Sequence, residues 1–86
     1  MPTISEFYGI VSRMFPKDHP PPHFHALYGE HRARFAIASG EPIDGDLPPR
    51  AARLVREWAE LRRSELATNW QRAEQMRSLE PIEPLP

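Results

Sequence analysis

The sequence has no cysteine. Disulfide cross-links and thiolate metal ligands are therefore excluded, and any metal site must use nitrogen and oxygen donors. No apolar run approaches the ~20 residues needed to cross a bilayer, so no membrane segment is expected. Residues 1–6 lack a basic stretch followed by an apolar one, so the start of the chain does not read as a signal peptide. A strong basic excess is also missing. The net charge is −1, which argues against non-specific nucleic-acid binding through bulk electrostatics. Lysine is nearly absent, with Lys17 its one representative, and arginine carries the rest of the positive charge. Arginine suits planar, two-pronged pairing to carboxylate or phosphate. These features point to a cytoplasmic location.

Eighty-six residues make one domain with a small core, in which nearly every apolar face must be used. Proline is abundant, with 11 residues, and it punctuates the chain. Residues 1–80 read as a single α+β domain and residues 81–86 as an extended proline-rich tail. The first half is rich in β-branched and aromatic residues. Segments 3–8 and 10–15 read as strand, with Gly9 a bend or bulge in one long strand. Residues 23–28 form a strand, Gly29-Glu30 a two-residue turn, and residues 32–38 the return strand. A short edge strand at residues 41–44 is a further candidate. Asp46-Leu47-Pro48-Pro49 opens a helix, with Asp46 or Leu47 as cap and the prolines in the first turn. Ala51, Leu54, Val55, Trp58 and Leu61 follow at helical spacing, and Leu66, Trp70, Ala73 and Met76 make a second stripe. Ser64-Glu65 is the candidate cap between them, with a break near Arg63-Ser64; one long kinked helix is the alternative. The expected fold is an antiparallel β-meander of three or four strands, followed by two C-terminal helices packed on one sheet face. Trp58 and Trp70 belong to the core or an interface.

The unusual string is Asp18-His19-Pro20-Pro21-Pro22-His23-Phe24-His25. Three prolines in a row offer no ladder donors, so they form a stiff connector into the strand that begins at His23. Side-chain alternation then sets the register. Ala26 faces Ala33 and Phe24 faces Phe35 on the core side. His23, His25 and Leu27 fall on the opposite face, across from Ala36, Arg34 and Arg32.

Three kinds of chemistry suit that face. In the first, a histidine moves protons near neutral pH while arginines hold a phosphate, as metal-independent RNA cleavage requires. His23, His25 and Arg34 are then the catalytic candidates, with Arg13, Arg32 and His19 binding phosphate or substrate. In the second, histidines two apart on one strand chelate zinc or nickel, completed by His19 or Asp18. The neighbouring arginines oppose a cation there. In the third, the prolines fix a turn whose histidines cap backbone groups or meet a partner. No other cofactor is expected. His31, at the hairpin end, is expected to be exposed.

Several strings together carry a likeness. They are Met1-Pro2-Thr3-Ile4, Phe7-Tyr8-Gly9-Ile10-Val11, the histidine–proline string through Ala26, Tyr28-Gly29, Gly45-Asp46-Leu47-Pro48 and Trp58-Ala59-Glu60-Leu61. In these the chain resembles the bacterial domain-of-unknown-function family numbered 4160. The resemblance implies a short stand-alone cytosolic protein, often encoded beside a small protein of the family numbered 2442. It therefore implies one half of a toxin–antitoxin-like two-gene module that binds that small protein partner. The family motif lands on Asp18, His19, His23 and His25, and Arg13 in the preceding strand is also typical. An RNA substrate and self-association as a homodimer stay open at this level.

Overall fold

The computed structural model describes residues 3–86; Met1 and Pro2 of the family-like opening lie outside the described residues. Five strands form one antiparallel sheet in chain order. They are β1 (Thr3–Phe7), β2 (Ile10–Arg13), β3 (His23–Tyr28), β4 (His31–Ala36) and β5 (Pro42–Asp46). Two helices follow, α1 (Pro49–Leu61) and α2 (Arg63–Glu74). The α+β meander is as expected, with one strand more.

The extra strand comes from the first segment. Tyr8 and Gly9 both take positive φ, 51° and 78°. This is the backbone of a primed two-residue turn, whose twist matches that of paired strands. The chain therefore reverses at Gly9 instead of bending, and Phe7 pairs with Ile10. The edge strand forms as well, starting one residue later than expected and ending two residues later, at Asp46. The β3–β4 register is as the alternation required: Phe24 lies across from Phe35, His25 from Arg34 and Ala26 from Ala33.

The helix starts differ from expectation. Pro48 occupies the cap position of α1, with Pro49 in the first turn and no side-chain cap bond. Asp46 is instead the last residue of β5. A proline needs no amide partner in the first turn, so a side-chain cap is less needed there. The break between helices falls at Arg62, which precedes the first residue of α2; Ser64 and Glu65 lie inside that helix. Arg62 donates its backbone N–H to the Trp58 carbonyl at 2.9 Å. Glu65, in the first turn of α2, pairs with Arg62 at 3.5 Å, where negative charge suits the helix dipole.

The core lies between the sheet and the helices. Phe24 stacks on Phe35 with centroids 5.7 Å apart, and Trp58 meets the Phe24 ring edge-on at 5.4 Å. Phe7, Ile10, Val55, Leu66 and Trp70 complete it. Burying each such large side chain contributes on the order of 1.5–3 kcal/mol. Both tryptophans are core residues. Leu61 and Met76, the last members of the two stripes, are exposed.

Residues 81–86 have no regular secondary structure, yet they are tied down. Ile82 is buried and donates its N–H to the Ile4 carbonyl at 2.8 Å. Buried Asn69 donates to the Glu80 carbonyl at 2.8 Å and accepts from its N–H at 2.9 Å. The Trp58 indole donates to the Glu83 carbonyl at 2.8 Å. No helix among the described residues is long and apolar enough to cross a membrane.

Candidate functional site

The site begins with the connector between β2 and β3. Its Lys17 donates a backbone N–H to the Ala73 carbonyl at the end of α2, 3.2 Å away. The Pro20–Pro21 peptide is cis. The Lys17 bond ties the connector to α2 beside the start of β3. Asp18 is thereby carried back to the two histidines that follow it in sequence.

Asp18 Oδ2 sits 3.0 Å from His23 Nε2 and 3.0 Å from His25 Nε2. Its other oxygen, Oδ1, accepts the His19 backbone N–H at 2.9 Å. Partial burial alone would push the Asp18 carboxyl up. The His25 hydrogen bond, the His19 amide and the two nearby imidazoles outweigh that, so it lies below the usual carboxylate range. The rings are held firmly. Phe15 meets His25 edge-on at 4.6 Å, and Trp70 of α2 lies 5.3 Å from the His23 ring.

His23 departs from its expected place on an open polar face. It is only 1% exposed. Alternation does put it beside His25, but it is the first residue of β3. There the connector and Trp70 cover the end of the sheet, and strand periodicity does not describe that cover. Its Nδ1 lies 2.7 Å from the Pro21 carbonyl oxygen. A carbonyl oxygen only accepts, so Nδ1 carries the hydrogen. His25 is half-buried, with its side chain 26% exposed beside Asp18 at 22%.

Arg13, His25, Arg34 and Asp44 form one row across β2, β3, β4 and β5. Arg34, the expected catalytic arginine, is engaged within that row. Its guanidinium forks onto Asp44, with Nε 3.0 Å from Oδ1 and Nη2 donating to Oδ2. This hydrogen-bonded pair raises the arginine and lowers the carboxyl from their ordinary values. Arg13 is half-buried, and its Nε is sealed from solvent without a hydrogen-bond partner among the described residues. Arg32 is exposed, two residues from Arg34 along β4 on the same face, across from Asp46. A hollow of about 500 Å³ opens beside the row, lined by His25, Arg32, Arg34 and Asp44. His19 presents only its backbone to the cluster among the hydrogen bonds of the described residues. His31 is exposed, as expected.

Asp44 is the site residue that sequence reading missed. Its signal was the hairpin register combined with β5. Once β5 pairs with β4, Asp44 faces Arg34, and opposite charges at facing positions pair.

No curated protein and no solved structure matches the chain. A family model, described as domain of unknown function DUF4160, matches residues 9–71, a span that holds the whole cluster from Arg13 to Asp44. The chain therefore belongs to the DUF4160 family.

Proposed function

We propose that this chain is the partner-binding component of a cytoplasmic two-gene module of toxin–antitoxin type, engaging a small protein of the family numbered 2442. The observation that supports the reading is the unequal treatment of the two sheet edges. Along β1, Ile82 donates its amide to the Ile4 carbonyl, so the C-terminal segment lies over that edge. Along β5 all five residues are exposed, including the apolar Ile43. An open strand edge offers unpaired N–H and C=O groups to an added strand, with side-chain pockets supplying specificity. The charged row from Arg13 to Asp44 adjoins this edge and supplies polar contacts. Co-purification with the product of the neighbouring gene tests the reading. The wild-type pair is expected to elute together, and Ile43→Lys to weaken binding at least tenfold, because charge at an open edge opposes strand addition. Separate elution of the wild-type proteins, or full binding by Ile43→Lys, counts against it.

A second, effector reading rests on the Asp18–His25 pair beside the hollow. A half-exposed imidazole held by a carboxylate is a suitable proton carrier. With Arg34 engaged by Asp44, Arg32 and Arg13 would be the phosphate contacts of a ribonuclease-like toxin. Expression without the partner should then arrest growth, and His25→Ala should restore it. Harmless expression of the wild-type chain would sink this version.

A further inference from the structure

Three observations converge on the atoms around Asp18 Oδ2. The first is the proton on His23. Its Nδ1 donates to the Pro21 carbonyl at 2.7 Å, so a neutral His23 presents a lone pair from Nε2. That lone pair faces a carboxylate oxygen 3.0 Å away. Two acceptors at this distance repel unless something positive lies between them. One candidate is a second proton on His23, shared with the Asp18 carboxylate. The other is a metal ion.

The second observation is spacing. His23 Nε2, His25 Nε2 and one Asp18 oxygen all lie within 4.8 Å of one another. Asp18 Oδ2 is 3.0 Å from each imidazole nitrogen. Ligands bonded at roughly 2.0–2.2 Å to one ion stand about 3–3.5 Å apart, so both separations suit a shared ion. The outer contacts are those of a metal centre too. A backbone carbonyl holds the far nitrogen of His23, and the His19 amide holds the far oxygen of Asp18.

The third is charge. Arginines near the histidines would oppose a cation, but the Arg34 guanidinium is engaged by Asp44. That leaves Arg13 as the flanking cation in the row across the strands. Two imidazoles and one carboxylate, without thiolate, favour a borderline first-row ion over calcium or magnesium.

We propose that Asp18, His23 and His25 bind one divalent transition-metal ion of the zinc, nickel or cobalt class. Of the three ligands His25 also lines the hollow beside Arg32, from which water or an anionic group would complete the sphere. The proposal gives the histidine site of the module its ligand, and it stands independently of the β5 edge.

The test uses the tag-free full chain, stripped with a chelator and titrated with zinc and with cobalt alone. Calorimetry should give one ion per chain, and cobalt should develop visible absorbance with nitrogen and oxygen ligation. His25→Gln and Asp18→Asn remove one ligand each and should weaken binding at least ~100-fold, more than an outer-contact change does. His23→Asn keeps a donor for Pro21 while deleting Nε2, and it should behave likewise if circular dichroism shows it folded. His19→Ala and His31→Ala should bind as wild type. Absence of stoichiometric binding, or undiminished binding by folded His25→Gln, overturns the proposal. Partner binding by the chelated protein is measured separately with Ile43→Lys, so failure at the metal and failure at the edge give different results.

Discussion

His23 is pinned to Pro21: the imidazole Nδ1–H donates to a carbonyl two residues back, at 2.7 Å, inside a fully covered site. This short loop makes the histidine–proline string structural as well as chemical. Removing the ring leaves a cavity beside Trp70 and an unpaired carbonyl. His23→Ala should cost on the order of 2–4 kcal/mol in urea unfolding. His23→Asn, which can still donate to Pro21, should recover part of that loss.

Stability at acid pH should report on Asp18. Its folded carboxyl lies below the ordinary range, with burial opposing and the His25 and His19 hydrogen bonds and the imidazoles prevailing. A depressed carboxyl contributes stability that is fully present above the unfolded value, near 3.8, and lost as pH falls through the lower folded value. In the metal-free protein, urea midpoints from pH 6 down to pH 3 should therefore fall less steeply for Asp18→Asn than for wild type at the acid end. Equal slopes would mean that Asp18 contributes nothing there.

Gly45 is the most constrained position of the open edge. Its φ is +89°, and an added Cβ would overlap the Arg32 carbonyl oxygen and stand 2.5 Å from Ala33 Cα. The obstacle is backbone of β4, which cannot swing aside. Gly45→Ala should destabilise the domain by roughly 2–4 kcal/mol and displace β5 from β4. Thermal unfolding gives the first effect, and loss of amide protection in β4 and β5 gives the second. Protection at the wild-type level would contradict this account.

Asn69 controls the C-terminal segment. Both ends of its buried amide grip the Glu80 backbone. Asn69→Ala removes one donor and one acceptor together, at a cost of about 2–4 kcal/mol. Proteolysis should then cut the segment after Glu80 sooner than in wild type, and Ile82 should lose amide protection.

Breaking the Arg34–Asp44 pair should barely change stability, because both groups are in contact with water. Its effect should appear in binding. Asp44→Asn frees a guanidinium beside the hollow. It should raise affinity for inorganic phosphate and lower that for zinc, with both read by titration of the same preparation.

Much of this molecule is readable along the chain. The alternation in His23 to Tyr28 and Arg32 to Ile37, with one tight turn between, determines which residues face each other, because side-chain direction in a strand has period two. The helical stripes around Trp58 and Trp70 follow from the same kind of local rule. The turn at Tyr8-Gly9 was harder, since a glycine in a strand-like run is compatible with a bulge or a reversal. Only pairing with β3 and the cover of α1 favour the reversal.

The site divides the same way. Local sequence alone puts His23 and His25 on one side of β3, two residues apart. Tertiary structure decided that His23 is buried, since the cover comes from Trp70, 47 positions later in the numbering. It also decided that Asp18 reaches both rings and that Arg34 belongs to Asp44. Those contacts join segments whose separation in sequence carries no record of their distance in space. They follow from the docking of the connector on α2 and the addition of β5, which give one buried imidazole a carboxylate to face.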